Sequence, residues 1–289
     1  HLFQKGGRVY ALLPAIFREA TIAGVSSEEN CGPEFIIVDV TDPRTPTFVA
    51  DWGANQDLGL NPATGLLDRK PNQGDFDRLF AHSVNTTPDR SKAFVSYWDL
   101  GAVIFDISGL SGNRAPTRSF DLEAARLGMS GFGPGEEGNT HSAGPAMIDS
   151  TPLMLTADED FVGPPWGFLR IFDISNPAHP QQIGTFMTPH SLGGAPEEEV
   201  GAFSIHIPVV KATKAAVAWY SDGVRMLDLS NPAAPREEGY LVPAPTPDPF
   251  GIFPNNALVW GATFANIGGQ EYIVASDINF GLYVMRQTP

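Results

Sequence analysis

Cysteine is nearly missing: Cys31 is the only one in 289 residues. The chain therefore has no intramolecular disulfide and no thiolate metal cluster. Basic residues are scarce as well, 18 Lys and Arg against 33 Asp and Glu, for a formal charge of -15. Nucleic acid is excluded as a partner, because phosphate binding needs clustered Lys and Arg. No apolar run approaches the roughly 20 residues of a membrane-spanning helix. There is no Gly-x-Ser-x-Gly, no phosphate-cradling glycine loop before a helix and no His-Glu-x-x-His, which removes the common hydrolase, nucleotide and zincin signatures. The chain opens at His1 with neither Met nor a signal-like stretch, as expected of a processed or trimmed protein. Glycine (30) and proline (26) are plentiful instead, a composition natural to turn-rich all-β proteins.

What the chain has is repetition. Phe35-Ile36-Ile37-Val38-Asp39-Val40-Thr41-Asp42-Pro43 returns as Val103-Ile104-Phe105-Asp106-Ile107-Ser108. It returns again as Leu169-Arg170-Ile171-Phe172-Asp173-Ile174-Ser175-Asn176-Pro177 and as Val224-Arg225-Met226-Leu227-Asp228-Leu229-Ser230-Asn231-Pro232. A degenerate fifth copy puts Arg286 in the aspartate's place. The aspartates lie 67, 67 and 55 residues apart, with Arg286 58 later. Such a period points to a radial or solenoid architecture. In the second repeat, residues 82–85, 92–98, 101–107 and 116–122 read as four antiparallel strands of falling hydrophobicity, the content of a propeller blade. The third, fourth and fifth repeats divide in the same way. The fifth lacks its outer strand and the first most of its innermost one. The expectation is one all-β domain over 1–289, a five-bladed β-propeller with blades at about 1–53, 80–122, 141–187, 204–241 and 257–289. Long insertions (54–79, 123–140, 188–203 and 242–256) all open on one face.

The phrase Asp-Val/Ile/Leu-Ser/Thr-Asn/Asp-Pro-x-x-Pro, at 39–46, 173–180 and 228–235, resembles the LVIVD-repeat family of β-propeller proteins. The resemblance implies the architecture over most of the chain and an extracytoplasmic setting, periplasmic or secreted. It implies no particular activity, because propellers host many functions.

The strand directions suggest where chemistry sits. His82, His141 and His206 each stand near the start of a first strand, where the insertions open; Trp260 holds that register in the fifth repeat, and His1 falls near it in the first. Converging imidazoles suit a transition metal ion, Cu, Fe or Zn, or a general-base cluster. Asp99, Asp158 and Asp222 follow those histidines by 17, 17 and 16 residues, at the ends of second strands, where each would orient its imidazole or contact substrate. Glu136, Glu137 and Glu199 of the insertions are candidate acids, bases or added ligands. Trp98 and Trp260 are candidates for an apolar lining around a small, partly apolar substrate.

The competing readings are structural. The second-strand aspartates recur as Asp277 where the histidine is replaced by Trp260, which suits turn formation. Asp39, Asp106, Asp173 and Asp228 are expected to bond the amides of the turns that follow them. His179 reads as a surface turn residue, and His190 fits either class. Three functions stay open. One is a metal-binding propeller, extending to a metal-dependent oxidoreductase, hydrolase or lyase. Another is a non-enzymatic module whose insertion face binds a partner protein. The third is a carbohydrate-active propeller, although no Asp/Glu pair stands out as acid and nucleophile.

Overall fold

The computed structural model describes residues 1–14, 34–58, 80–110, 120–132, 138–161, 163–193, 201–245 and 255–286. They form five antiparallel sheets, four of four strands and one of three, each with its strands in chain order. The first sheet is β1 (Leu2–Lys5), β2 (Arg8–Pro14), β3 (Phe35–Asp39) and β4 (Thr47–Trp52). After a short α1 (Ala54–Asp57), the second is β5 (Ala81–Thr86), β6 (Lys92–Tyr97), β7 (Gly101–Asp106) and, past α2 (Leu122–Ala125), β8 (Arg126–Met129). The third is β9 (Thr140–Ile148), β10 (Thr151–Asp158), β11 (Leu169–Asp173) and β12 (Gln181–Phe186). Then come α3 (Pro189–Gly193) and the fourth sheet, β13 (Ile207–Lys211), β14 (Lys214–Ala218), β15 (Val224–Asp228) and β16 (Arg236–Leu241). The fifth is β17 (Val259–Ile267), β18 (Gln270–Asp277) and β19 (Gly281–Met285).

Two expectations fail at the strand level. The strand that pairs with β7 on its outer side is β8; of the expected 116–122, residues 116–119 lie outside the described residues, and part of the supposed insertion is strand. Asp121 explains the start, since its side chain accepts from Ala124 N at 2.9 Å and nucleates one helical turn, from which the chain leaves extended at Arg126. The innermost strand of the first sheet is also present, as the four residues of β1.

The chain divides into two compact units, residues 1–145 with 176–180, and 146–175 with 181–289. The core of unit 1 buries Leu12, Phe35, Ile37, Trp52, Val95, Tyr97, Val103 and Phe105. Trp52 packs edge-on against Tyr97 and Phe105, and its indole donates to Glu123 at 2.7 Å. Unit 2 has a core around Leu155, Leu169, Ile171, Trp219 and Leu227, and another around Ala218, Val259 and Ala275.

The repeated phrase has a mechanical explanation. Each motif aspartate accepts a backbone N–H two residues on: Thr41 to Asp39 at 2.9 Å, Ser108 to Asp106 at 2.8 Å, Ser175 to Asp173 at 2.7 Å and Ser230 to Asp228 at 2.8 Å. All four are thus turn-forming, as the sequence predicts. One to two residues before each, the pairing of third and fourth strand slips at a bulge, Ile37/Val38, Ile104/Phe105, Ile171/Phe172 and Met226/Leu227, which increases local twist. Opposite those bulges sit Ala50, Gly128, Gly184 and Gly239. A Cβ on Gly128 would lie 2.2 Å from the carbonyl of Pro177, and one on Gly184 2.2 Å from that of Pro232. The Asn-Pro turn of one repeat therefore seats on the fourth-strand glycine of the repeat before it. At Gly239 nothing lies within 4 Å, consistent with the fifth copy's loss of the motif.

Candidate functional site

In unit 1 the starts of β5 and β9 bring two imidazoles together. His82 and His141 lie with ring centroids 3.9 Å apart, and His141 is 5% exposed. The carbonyl of His141 is held by the Ser96 hydroxyl at 2.8 Å, and Asn85 donates to Ala143 O at 2.7 Å, so side chains of the second sheet fix β9 beside β5. His82 Nδ1 is buried with no hydrogen-bond partner. Burial lowers the His82 pKa, partly offset by the backbone of His141, so the ring is disposed to be neutral, the form that binds metals. Trp98 closes one side: it stacks on Phe80 at 5.2 Å and lies 5.5 Å from His82 and 6.3 Å from His141.

In unit 2 His206 stands one residue before β13, its N–H donating to Ala218 O at 2.9 Å. Its ring meets Tyr220 edge-on at 5.3 Å and Trp260 at 5.5 Å. Tyr220 is held at φ 34, in the left-handed region, a conformation that costs about 1–3 kcal/mol and persists where the surroundings over-determine it. Two backbone bonds with Val259 fix it at 3.1 and 3.0 Å. From there its hydroxyl donates to Glu159, which is 7% exposed. Burial raises the Glu159 carboxyl to about 7 despite that hydrogen bond, and burial with the neighbouring Glu159 charge pushes the Tyr220 phenol up. Tyr220 therefore keeps its proton and donates to the ionised carboxylate, and Glu159 changes protonation near neutrality. Glu159 is not among the sequence candidates; its only signal is its place directly after Asp158 at the end of a second strand.

The aspartates at the ends of the second strands have partners beyond those expected, and Asp222 departs from its expected pairing. Asp158 forms a buried ion pair with Arg170 Nε at 2.6 Å, both side chains 2% exposed. Asp222 binds His190 Nδ1 at 2.7 Å, Arg225 at 3.1 Å and the Thr188 hydroxyl. Its partner is thus the insertion histidine, not His206. The reason is that arginines on the neighbouring third strands offer the opposite charge and hydrogen-bond donors that a buried carboxylate requires. Asp99 lies half-buried in the turn between β6 and β7. Asp277 accepts from Leu258, Asn279 and Phe280 N–H groups, a turn-former.

His1 is placed elsewhere. Its Nε2 meets the Thr86 hydroxyl at 3.0 Å, at the opposite end of β5 from His82, and its amine donates to Leu12 O at 2.9 Å. The pairing of β1 with β2, Leu2 opposite Ala11, starts the first strand too late for His1 to share the others' register. Trp260 is half exposed against His206, whereas Trp98 is buried. Glu136, Glu137 and Glu199 lie outside the described residues. His179 is a turn residue, its N–H donating to Asn176 O at 3.0 Å. No helix among the described residues is long and apolar enough to cross a membrane.

The LVIVD repeat model matches residues 161–188, the stretch containing β11 and the third aspartate phrase. No curated protein matches the sequence. Among solved structures, a periplasmic gluconolactonase from Pseudomonas aeruginosa is similar at 12% identity with a TM-score of 0.55, over 97% of this chain and 63% of that one. The chain thus spans less than two thirds of that protein. An α-L-arabinofuranosidase from Lactobacillus brevis is similar at 11% identity and a TM-score of 0.43, over 98% of this chain and 88% of that one. At 12% identity the likeness to the Pseudomonas structure is one of fold, all-β and propeller-like.

Proposed function

We propose that the five sheets are the blades of one β-propeller that binds a transition metal ion, copper, iron or zinc, through His82, His141 and His206, with Glu159 as the carboxylate of the set. The observation that carries this reading is the His82–His141 pair, one imidazole half-buried and one buried, with ring centroids 3.9 Å apart at the starts of two first strands. Buried polar side chains ordinarily satisfy one another, yet His82 Nδ1 has no hydrogen-bond partner. A metal ion accepts such a nitrogen lone pair. His141, Glu159 and His206 are each buried and add imidazole nitrogen and carboxylate oxygen, donors suited to these metals rather than to calcium or magnesium.

A small, partly apolar substrate beside Trp98 or Trp260 extends the proposal to metal-dependent catalysis. An extracytoplasmic location is proposed with it, in line with the periplasmic description of the Pseudomonas structure. The test is metal content per chain by inductively coupled plasma mass spectrometry on protein from its native host. Near-stoichiometric metal that falls at least tenfold in His141→Ala and in His82→Ala supports the reading. A protein that stays empty after incubation with copper, iron or zinc refutes it.

A further inference from the structure

Unit 2 holds a second constellation, outside the histidine set. Thr188 precedes α3, and its hydroxyl accepts from Ser191 N–H at 3.0 Å while donating to Asp222 Oδ2. This fixes the one-turn helix against a carboxylate that is 1% exposed. His190, the second residue of α3, directs Nδ1 at Asp222 Oδ1, 2.7 Å away, and keeps a third of its side chain exposed. Arg225 approaches the same oxygen at 3.1 Å, donates from Nε to the Asp222 carbonyl at 2.9 Å, and donates from Nη1 to Glu237 at 3.1 Å. Two carboxylates thus share one guanidinium, and the cluster carries one uncompensated negative charge when the imidazole is neutral. Asp222 accepts only from an Nδ1–H, so the basic lone pair of the neutral ring is on Nε2. An aromatic wall stands alongside: Phe203 meets the His190 ring edge-on at 4.9 Å, and Trp166 meets Phe203 at 5.7 Å.

The geometry points to His190 as the general base of an ester-hydrolysing site, with Asp222 as its positioning residue. The adjacent hydroxyl, Ser191, donates to Gly167 O at 3.1 Å, so the nucleophile is water. Nε2 takes one proton from water as the oxygen forms a bond to the acyl carbon. The ester C–O bond then breaks, and the imidazolium returns that proton to the departing oxygen. No oxidant, reductant or cofactor enters the balance. The surplus negative charge disfavours phosphorylated or acidic substrates, and the aromatic wall favours an uncharged ester, open or cyclic, with an apolar face. This site does not depend on the metal reading, and either can fail alone.

The experiment is hydrolysis of p-nitrophenyl acetate and δ-valerolactone by the full chain, with nitrogen-15 NMR of the histidine rings. Turnover above the buffer rate is expected. His190→Gln should lower kcat/KM on the order of 100-fold, while His179→Gln, in an exposed turn, leaves it unchanged. The wild-type His190 ring should carry its neutral-state proton on Nδ1, and Asp222→Asn should lower kcat/KM and abolish that preference. Hydrolysis at the buffer rate, a His190→Gln protein within twofold of wild type, or a wild-type ring protonated on Nε2 each overturns the proposal; the last needs no variant to fold.

Discussion

Gly184→Ala tests whether the repeated Asn-Pro phrase is a packing device. The added Cβ would sit 2.2 Å from the Pro232 carbonyl oxygen, 3.2 Å from the Ala233 α-carbon and 3.2 Å from the Pro232 carbonyl carbon, where ordinary van der Waals distances begin near 3.4 Å. The oxygen is backbone, held in a turn whose Ala234 N–H donates to Asn231 O at 3.0 Å and whose Ala233 N–H donates to the Asn231 side chain at 3.3 Å. It has no rotamer by which to move aside, so β12 and the turn must separate by more than 1 Å. Overpacking of this kind costs about 1–3 kcal/mol, and a forced backbone separation belongs at the upper end. Gly239→Ala is the matched control: same strand position in the fourth sheet, nothing within 4 Å. There the alanine removes glycine's excess unfolded-state freedom, a gain of about 0.5 kcal/mol. For a chain of this size 1 kcal/mol moves Tm by about 2–4 °C. Calorimetry should therefore show Gly184→Ala melting roughly 4–8 °C below wild type and Gly239→Ala at or slightly above it. Gly128→Ala, with its 2.2 Å approach to Pro177 O, should behave like Gly184→Ala. Equal shifts for Gly184→Ala and Gly239→Ala would refute the seating of the phrase on the preceding sheet.

Buried charges set three further outcomes. Burial raises Glu34 to about 7, only partly offset by hydrogen bonds from Ala54 N–H at 3.0 Å and the Tyr97 hydroxyl at 3.1 Å. Between the unfolded pKa of 4.5 and about 7 the folded state binds more protons than the unfolded chain, so stability falls as pH rises through that window, by on the order of 3 kcal/mol in all. Glu34→Gln keeps the acceptor and cannot ionise; its urea midpoint should match wild type near pH 4.5 and exceed it at about pH 8, and parallel pH curves would contradict this. Arg170→Met removes the cation that faces Asp158 at 2% exposure, which should cost about 3–5 kcal/mol and lower Tm by ~10 °C; a melt within about 2 °C of wild type would show that this ion pair does not hold the sheet. Tyr220→Phe removes the donor to Glu159 and should cost about 1–3 kcal/mol, read as a lower urea midpoint at unchanged slope.

The fold is legible because its signal is periodic and local. An apolar third strand ending in an aspartate, then Ser/Thr, then Asn/Asp-Pro, encodes strand, stop and turn in one short phrase, and the bond from residue i+2 to each aspartate needs no distant partner. The expected strands accordingly fall close to those found: 92–98 differs from β6 and 101–107 from β7 by one residue each. The outer strand of the second sheet is not legible. Leu127 and Met129 have no β-branched neighbours, and what pins β8 is Gly128 beneath Pro177, a contact 49 residues away in sequence.

The site divides along the same line. Strand register places His82 beside His141, because first strands of successive repeats start alike. Register could not assign the aspartates, since a buried carboxylate goes to whichever donor compensates it best, and both Asp158 and Asp222 face an arginine of the next strand, Arg170 and Arg225. Those arginines occupy the same place in their repeats, three residues before the motif aspartate, where the second repeat has Val103 and the first has Ile36. The acidic residue that ends the second strand is thereby absorbed by the scaffold in the third and fourth repeats. In the fourth repeat Asp222 is reached by a histidine from the preceding insertion as well as by its arginine. That imidazole, supplied from outside the repeat's own strands, adds a titratable group to a carboxylate that the scaffold already holds through Arg225.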